Sequence, residues 1–187
     1  MAALALSPTA LAETPSKVRW VDRLESPGKS TLGTEWSGIT DRVMGGMSDL
    51  EVSLERIDEE LCYRMRGQVR TANNGGFIQM ALPLSTSPQG LDASAHTGLR
   101  IRVRGNGEDY ALHLRTSDHR MPWDYHSAVF VAGPEWRTIN LPFTAFQRSG
   151  GRGPMDTNHL QRLALVGIGR DFRADLALAS VALYAQA

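Results

Sequence analysis

Apolar and polar residues alternate along most of this chain in short runs. Residues 61–69 set Tyr63, Met65 and Val69 against Arg64, Arg66 and Gln68. Residues 98–104 set Leu99, Ile101 and Val103 against Arg100, Arg102 and Arg104, and residues 110–115 set Leu112 and Leu114 against His113 and Arg115. Successive side chains of a strand point to opposite faces, so each run predicts a half-buried β-strand with its apolar set toward a core. Runs at 18–21, 51–54, 77–82, 125–131, 136–141, 160–168 and 176–184 predict further strands. Between them lie turn and loop signals: 83–96, Gly105-Asn106-Gly107, 117–124, Gly133-Pro134 and 149–154. Residues 143–146 suit a single helical turn after Pro142. Residues 156–165 suit either a short helix capped by Asp156 or Thr157, or the start of a strand. Many short strands with regular turns and no long helical period predict an all-β fold, a β-sandwich of the jelly-roll kind. Neither an internal repeat nor a second domain boundary interrupts it, so residues 17–187 read as one β-sandwich domain.

Two glycine pairs punctuate the pattern. The first lies in Asp41-Arg42-Val43-Met44-Gly45-Gly46-Met47-Ser48-Asp49, a turn feeding a strand. Adjacent glycines permit positive φ or a close backbone approach. Asp41 and Ser48 can bond nearby backbone, and Asp41 and Arg42 can pair or cap the loop, so a structural turn and a ligand-binding loop are both open. The second pair lies in Thr71-Ala72-Asn73-Asn74-Gly75-Gly76-Phe77. Asn-Gly between two β-like runs predicts a hairpin joining residues 63–69 to 77–82.

The chain of 187 residues carries 20 basic and 20 acidic side chains, which predicts no bulk attraction to nucleic acid or to an anionic membrane surface. Apart from Lys17 and Lys29 the basic residues are arginines, suited to ion pairs and planar hydrogen bonding. Arg64, Arg66 and Arg70, then Arg100, Arg102 and Arg104, then Arg115 beside His113, fall on the polar faces of their runs. The Gly105-Asn106-Gly107 turn makes the second and third runs expected hairpin neighbours. One sheet face would then carry an arginine lattice, interleaved by acids such as Glu51 and Glu55 because like charges directly opposite destabilise a sheet. That face is either an ion-pair network or a docking surface for an acidic partner or anionic glycan.

Conventional catalytic signatures are missing. Gly105-Asn106-Gly107 and Gly167-Ile168-Gly169 lack the G-x-G-x-x-G spacing, and there is no Walker loop, G-x-S-x-G or H-E-x-x-H. The lone Cys62 sits in a strand run and reads as a half-buried strand residue. Asp118, His119, Asp124 and His126 gather around one loop without a standard metal spacing, so no metal site is assigned. Trp123 and Tyr125 flank Asp124 at a loop-to-strand junction, where exposed rings can stack on sugars, anchor a protein partner or pack the sandwich edge.

Residues 1–16 stand apart. Met1 to Ala12 is small and apolar, and Ala10-Leu11-Ala12 before Glu13 has the form of a secretory cleavage site. A signal-peptide remnant with a bacterial, periplasmic or secreted address is the expectation; a disordered cytoplasmic leader is the alternative. No apolar run is long enough for a transmembrane helix.

Trp36 followed by Asp41-Arg42-Val43-Met44-Gly45-Gly46-Met47-Ser48 resembles the signature of the complex I intermediate-associated protein 30 family. Asn74-Gly75-Gly76-Phe77, Gly98 to Gly105 with Tyr110, Tyr125 to Phe130, Trp136 to Phe143 with Phe146, and Met155-Asp156 before residues 163–168 resemble the rest in order. The resemblance covers about residues 18–185. It implies a galactose-binding-like jelly roll, similar to carbohydrate-binding modules, with no catalytic residue and no cofactor. Family members in mitochondria act as assembly chaperones of NADH:ubiquinone oxidoreductase, and plant relatives act in photosystem biogenesis. The expectation is therefore a non-enzymatic assembly-factor or chaperone module binding a protein partner, with respiratory-complex subunits as candidates. The alternative is a carbohydrate-binding module working through the Trp123/Tyr125 loop. Candidate binding residues are Asp41, Arg42, Asn73, Asn74, Arg102, His113, Arg115, Trp123 and Tyr125; Gly45, Gly46, Ser48, Gly75 and Gly76 form the structural motif.

Overall fold

A computed structural model describes residues 18–185; the leader expectation falls outside the described residues. The strands are β1 (Val18–Asp22), β2 (Ser37–Thr40), β3 (Glu51–Ile57), β4 (Glu60–Val69), β5 (Phe77–Pro83) and β6 (Gly98–Gly105). They continue with β7 (Asp109–Thr116), β8 (His126–Val131), β9 (Arg137–Pro142), β10 (Gln147–Arg148), β11 (Leu160–Ile168) and β12 (Phe172–Tyr184). Three single 3-10 turns, Asp41–Met44, Ala72–Asn74 and Phe143–Ala145, are the helical elements among the described residues.

The strands form two antiparallel sheets. The first runs β3-β4-β12-β6-β9, with β1 also on β12; the second runs β10-β8-β7-β11-β5-β2. Their inner faces share one core. Met65, Leu99, Ile101, Leu176 and Leu178 come from the first sheet and meet Ile78, Met80, Leu112, Leu114 and Leu165 from the second. The alternation dictates this: one residue in two along each strand is apolar and seeks the other sheet. The fold is an all-β sandwich.

Two expected hairpins are absent. Each glycine-rich turn carries the chain between sheets, because the strands that precede it have no vacant edge. β4 lies between β3 and β12, so β5 joins the second sheet; β6 lies between β12 and β9, so β7 does the same. Asn73 and Asn74 take left-handed φ values of 58° and 56° in the first of these arches. Residues 156–159 form a turn, not a helix, and lead directly into β11.

The arginine lattice is accordingly split. Arg64, Arg66, Arg100, Arg102 and Arg104 share the first sheet, whereas Arg115 belongs to the second, and Arg70 lies past the end of β4. The first-sheet arginines are interleaved by acids. Arg64 makes a fork with Asp175, at 2.7 Å on each arm, and reaches Glu55 at 3.3 Å. Arg66 pairs with Glu51 and Glu55. Arg102 forks onto Glu60, and Arg104 pairs with Asp58.

Candidate functional site

The first glycine motif is built around a buried carboxylate. Asp41 is fully buried. It accepts the Ser48 N–H at 3.0 Å, the Ser48 hydroxyl, the Gly76 N–H at 2.6 Å and the Phe77 N–H at 3.3 Å. Burial pushes its carboxyl up, but these donors outweigh that effect and hold it below the ordinary value. The second motif is thus the other half of the first. A Cβ on Gly46 would fall on the Asp41 carboxylate, and one on Gly75 would lie 2.6 Å from Asp41 Oδ2. Gly45 and Gly76 have φ of 89° and 119°. Arg42 braces the same loop by donating from Nε to the Ser48 carbonyl at 2.8 Å.

What this pinned loop presents outward is apolar. Val43 is 74% exposed and Met44 63%. They line a groove of about 460 Å³ on the outer face of the second sheet. Its floor is Phe77 and Gln79 on β5, Ala164 and Val166 on β11 and His113 on β7, with Ile39 and Ile168 at the margins. Ala81, Ala111, Ala164 and Val166 form a buried cluster here with Phe77 packed against it, so part of the outer face of this sheet is apolar as well as its inner face. The opposite wall is Pro122, Trp123 and Tyr125, and Trp123 is 62% exposed. Tyr125 stacks on His113 with ring centroids 3.9 Å apart and planes 14° from parallel. Burial pushes the His113 imidazole down to about 4.

The Trp123 wall has its own anchor. Arg148 forks onto Asp124 at 2.9 and 2.7 Å and reaches Asp118 at 2.7 Å. Behind it the Thr116 N–H donates to His119 Nδ1 at 2.8 Å, which makes His119 Nε2 the protonated nitrogen that meets His126 Nδ1 at 3.0 Å. Burial is the leading cause holding both imidazoles below their ordinary value. These groups shape the loop and do not form a metal cluster; no such cluster occurs among the described residues.

Of the candidate residues, the groove brings together His113, Arg115, Trp123 and Tyr125. Asp41, Arg42 and Ser48 hold its wall from behind. Asn73 and Asn74 are exposed at the arch and do not line it, and Arg102 is on the other sheet. Arg162, Val43 and Met44 were not among the candidates. For Val43 and Met44 a signal existed: two large apolar residues inside a loop motif. A more open depression of about 530 Å³ near Asp49, Arg66 and Arg173 is less suited to a ligand, since Arg66 and Asp49 are already bonded within it. Cys62 is buried, and burial pushes its thiol up to about 11, away from nucleophilic use.

The family model of complex I intermediate-associated protein 30 matches residues 27–174, and the chain belongs to that family. No curated protein sequence matches it. In fold it is similar to the family 11 carbohydrate-binding module of the cellulosomal cellulase Lic26A-Cel5E of Clostridium thermocellum, at 11% identity and a TM-score of 0.71, covering 93% of this chain and 97% of that one. The same kind of module from that organism, solved with a β-1,3-1,4-mixed-linked tetrasaccharide, gives 10% identity and a TM-score of 0.70 over 90% and 95% of the two chains. A family 30 carbohydrate-binding module gives 12% and 0.64 over 91% and 89%. At these identities the likeness is one of fold: a jelly-roll sandwich. No helix among the described residues is long and apolar enough to cross a membrane.

Proposed function

We propose that this protein is a non-enzymatic binding module that holds an extended segment of a protein partner in the groove on its second sheet. The carrying observation is the pairing of exposed Val43 and Met44 on one wall with exposed Trp123 on the other, over a floor that includes Phe77, Ala164 and Val166. Large exposed apolar side chains that converge on one concavity mark interaction sites, and methionine adapts to varied partners. Asp41, bonded to both glycine motifs, fixes the Met44 wall, so the residues that resemble the family signature act as its support. Family membership supports an assembly-factor role, with subunits of a larger complex as the class of partner.

A carbohydrate-binding module is the second reading, favoured by the solved relatives in fold and by Trp123, whose exposed ring offers a stacking face. The lining weighs against it. Sugar hydroxyls need acceptors as well as donors, and among the described residues the groove offers only neutral side-chain acceptors, on Gln79, His113 and Tyr125, with no aspartate or glutamate.

Selection of displayed peptides on the purified protein, run beside a glycan array, separates the two. The protein-segment reading expects peptides that bind wild type and lose binding to Met44→Asp. Glycan binding abolished by Trp123→Ala, with no peptide enriched, would replace it with the second reading.

A further inference from the structure

Arg115 and Arg162 are direct cross-strand partners, on β7 and β11. Like charges at such a position repel, and sheets normally interleave an acid there. On the first sheet acids answer Arg64, Arg66, Arg102 and Arg104 in this way, from Glu51, Glu55, Glu60, Asp58 and Asp175. On the second sheet Arg148 has Asp118 and Asp124, but the Arg115–Arg162 pair has no acid among the described residues. Arg115 donates to two backbone carbonyls, those of His119 and Met121, each at 3.0 Å. Among the described residues the Arg162 side chain forms no hydrogen bond or ion pair, although it is half-buried. Burial and then the Arg115 charge both lower its hold on its proton. Both arginines line the apolar groove, and they also line a shallow depression beside it formed with Pro88, Thr116, Ser117, His119 and Gln161. Among the described residues no carboxylate lines either space.

Two adjacent cations with no anion, beside apolar walls, cost stability unless an anion arrives. We propose that the groove takes a protein segment that carries a carboxylate side chain, with that carboxylate seated on Arg162 and Arg115 while its neighbouring apolar side chains lie between Met44 and Trp123. The inference rests on the protein-segment reading and adds the chemistry of its ligand. Arg115 is already oriented by the His119 and Met121 carbonyls, so using its remaining donors costs little further side-chain entropy. Arg162 supplies a planar fork, which suits two carboxylate oxygens. The apolar walls lower the local dielectric and strengthen that contact relative to water.

The test uses two pools of capped octapeptides, identical in their apolar positions, with glutamate at one position in the first pool and glutamine in the second. Fluorescence anisotropy against the full chain should show the glutamate pool at least about tenfold tighter, since a charge-assisted fork contributes on the order of one such factor or more. Arg162→Met, which keeps the bulk of the stem, should erase the difference between pools while leaving the weaker binding common to both. The same variant without peptide should melt at or above the wild-type temperature, because a repulsive and unpaired charge is gone. Equal binding of both pools overturns the carboxylate inference and leaves the groove reading standing. No binding of either pool overturns both, and binding of an oligogalacturonate in their place would assign the arginine pair to an acidic glycan. An Arg162→Met protein that melts well below wild type would make Arg162 a structural residue and end the proposal.

Discussion

The Asp41 carboxylate accepts the backbone N–H of Gly76 at 2.6 Å across 35 positions of chain. This bond ties the loop that carries Met44 to the arch that enters β5. Asp41→Asn keeps the shape but turns an amide NH₂ toward groups that are themselves donors. The expected loss is about 2–4 kcal/mol, the range for leaving buried partners of a charged acceptor unsatisfied. Thermal melting should fall by roughly 5–15 °C for a chain of this size. Because the folded carboxyl lies below its ordinary value of 3.8, its contribution is complete above that pH and is lost as pH falls through the folded value. Chemical denaturation of wild type and variant between pH 6 and 2 should therefore converge at the acid end.

The four motif glycines should not respond alike to alanine. Gly45 has open space around its missing Cβ but a φ of 89°, so Gly45→Ala carries only backbone strain, on the order of 1 kcal/mol. Gly46→Ala and Gly75→Ala drive a methyl group against the Asp41 carboxylate and should cost more. Urea midpoints of the single variants rank them. Equal midpoints for Gly45→Ala and Gly46→Ala would mean that the carboxylate yields without cost.

Burial lowers the proton affinity of three histidines, His113 on the groove floor and His119 and His126 behind the Trp123 wall. A buried imidazole with a depressed folded value is fully stabilising above its unfolded value of 6.5. Stability then declines as pH falls toward the folded value, which for His113 is about 4. That span corresponds to about 3 kcal/mol for His113 alone. His113→Phe preserves a ring against Tyr125 and should flatten the pH dependence of unfolding between 6.5 and 4 without abolishing it. An unchanged slope would remove His113 from this account.

The strands were legible because their alternation has period two, and β11 occupies the same residues that its pattern marks. What could not be read was which sheet each strand joins. Alternation states that Leu99 and Leu112 face a core but not from which side, and Asn-Gly or Gly-Asn-Gly permits a tight turn without requiring a hairpin. Here β4 and β6 each had both neighbours, and the turns became arches. β2 and β10 escaped notice because they are short and bury no residue fully, with little alternation to detect. The groove was half legible. Trp123 and Tyr125 stood out as aromatics in a polar loop, and Asp41 stood out through its glycines. Arg162 did not, because its significance is a cross-strand position opposite Arg115, which only the register reveals.

The ion-paired arginines of the first sheet should behave as a solvated network. Arg102 and Glu60 are each partly exposed, and pairs of this kind contribute about 0–1 kcal/mol. Arg102→Glu should lower the melting temperature modestly and leave peptide binding unchanged, whereas Arg162→Met should change binding without that loss. Binding abolished by Arg102→Glu in a normally folded protein would move the docking surface to the first sheet.

The central claim is that the outer face of the second sheet is where a partner binds, and backbone amide chemical-shift mapping tests it most directly. Labelled protein is titrated with a peptide selected by display, with no assumption about where it sits. The account predicts shifts at Val43, Met44, Phe77, Val166 and Trp123, fading away from the groove, with Arg64, Arg102 and their neighbours on the first sheet silent. Shifts confined to the first sheet, or to the Asn73–Asn74 arch, with the groove unperturbed, would contradict it.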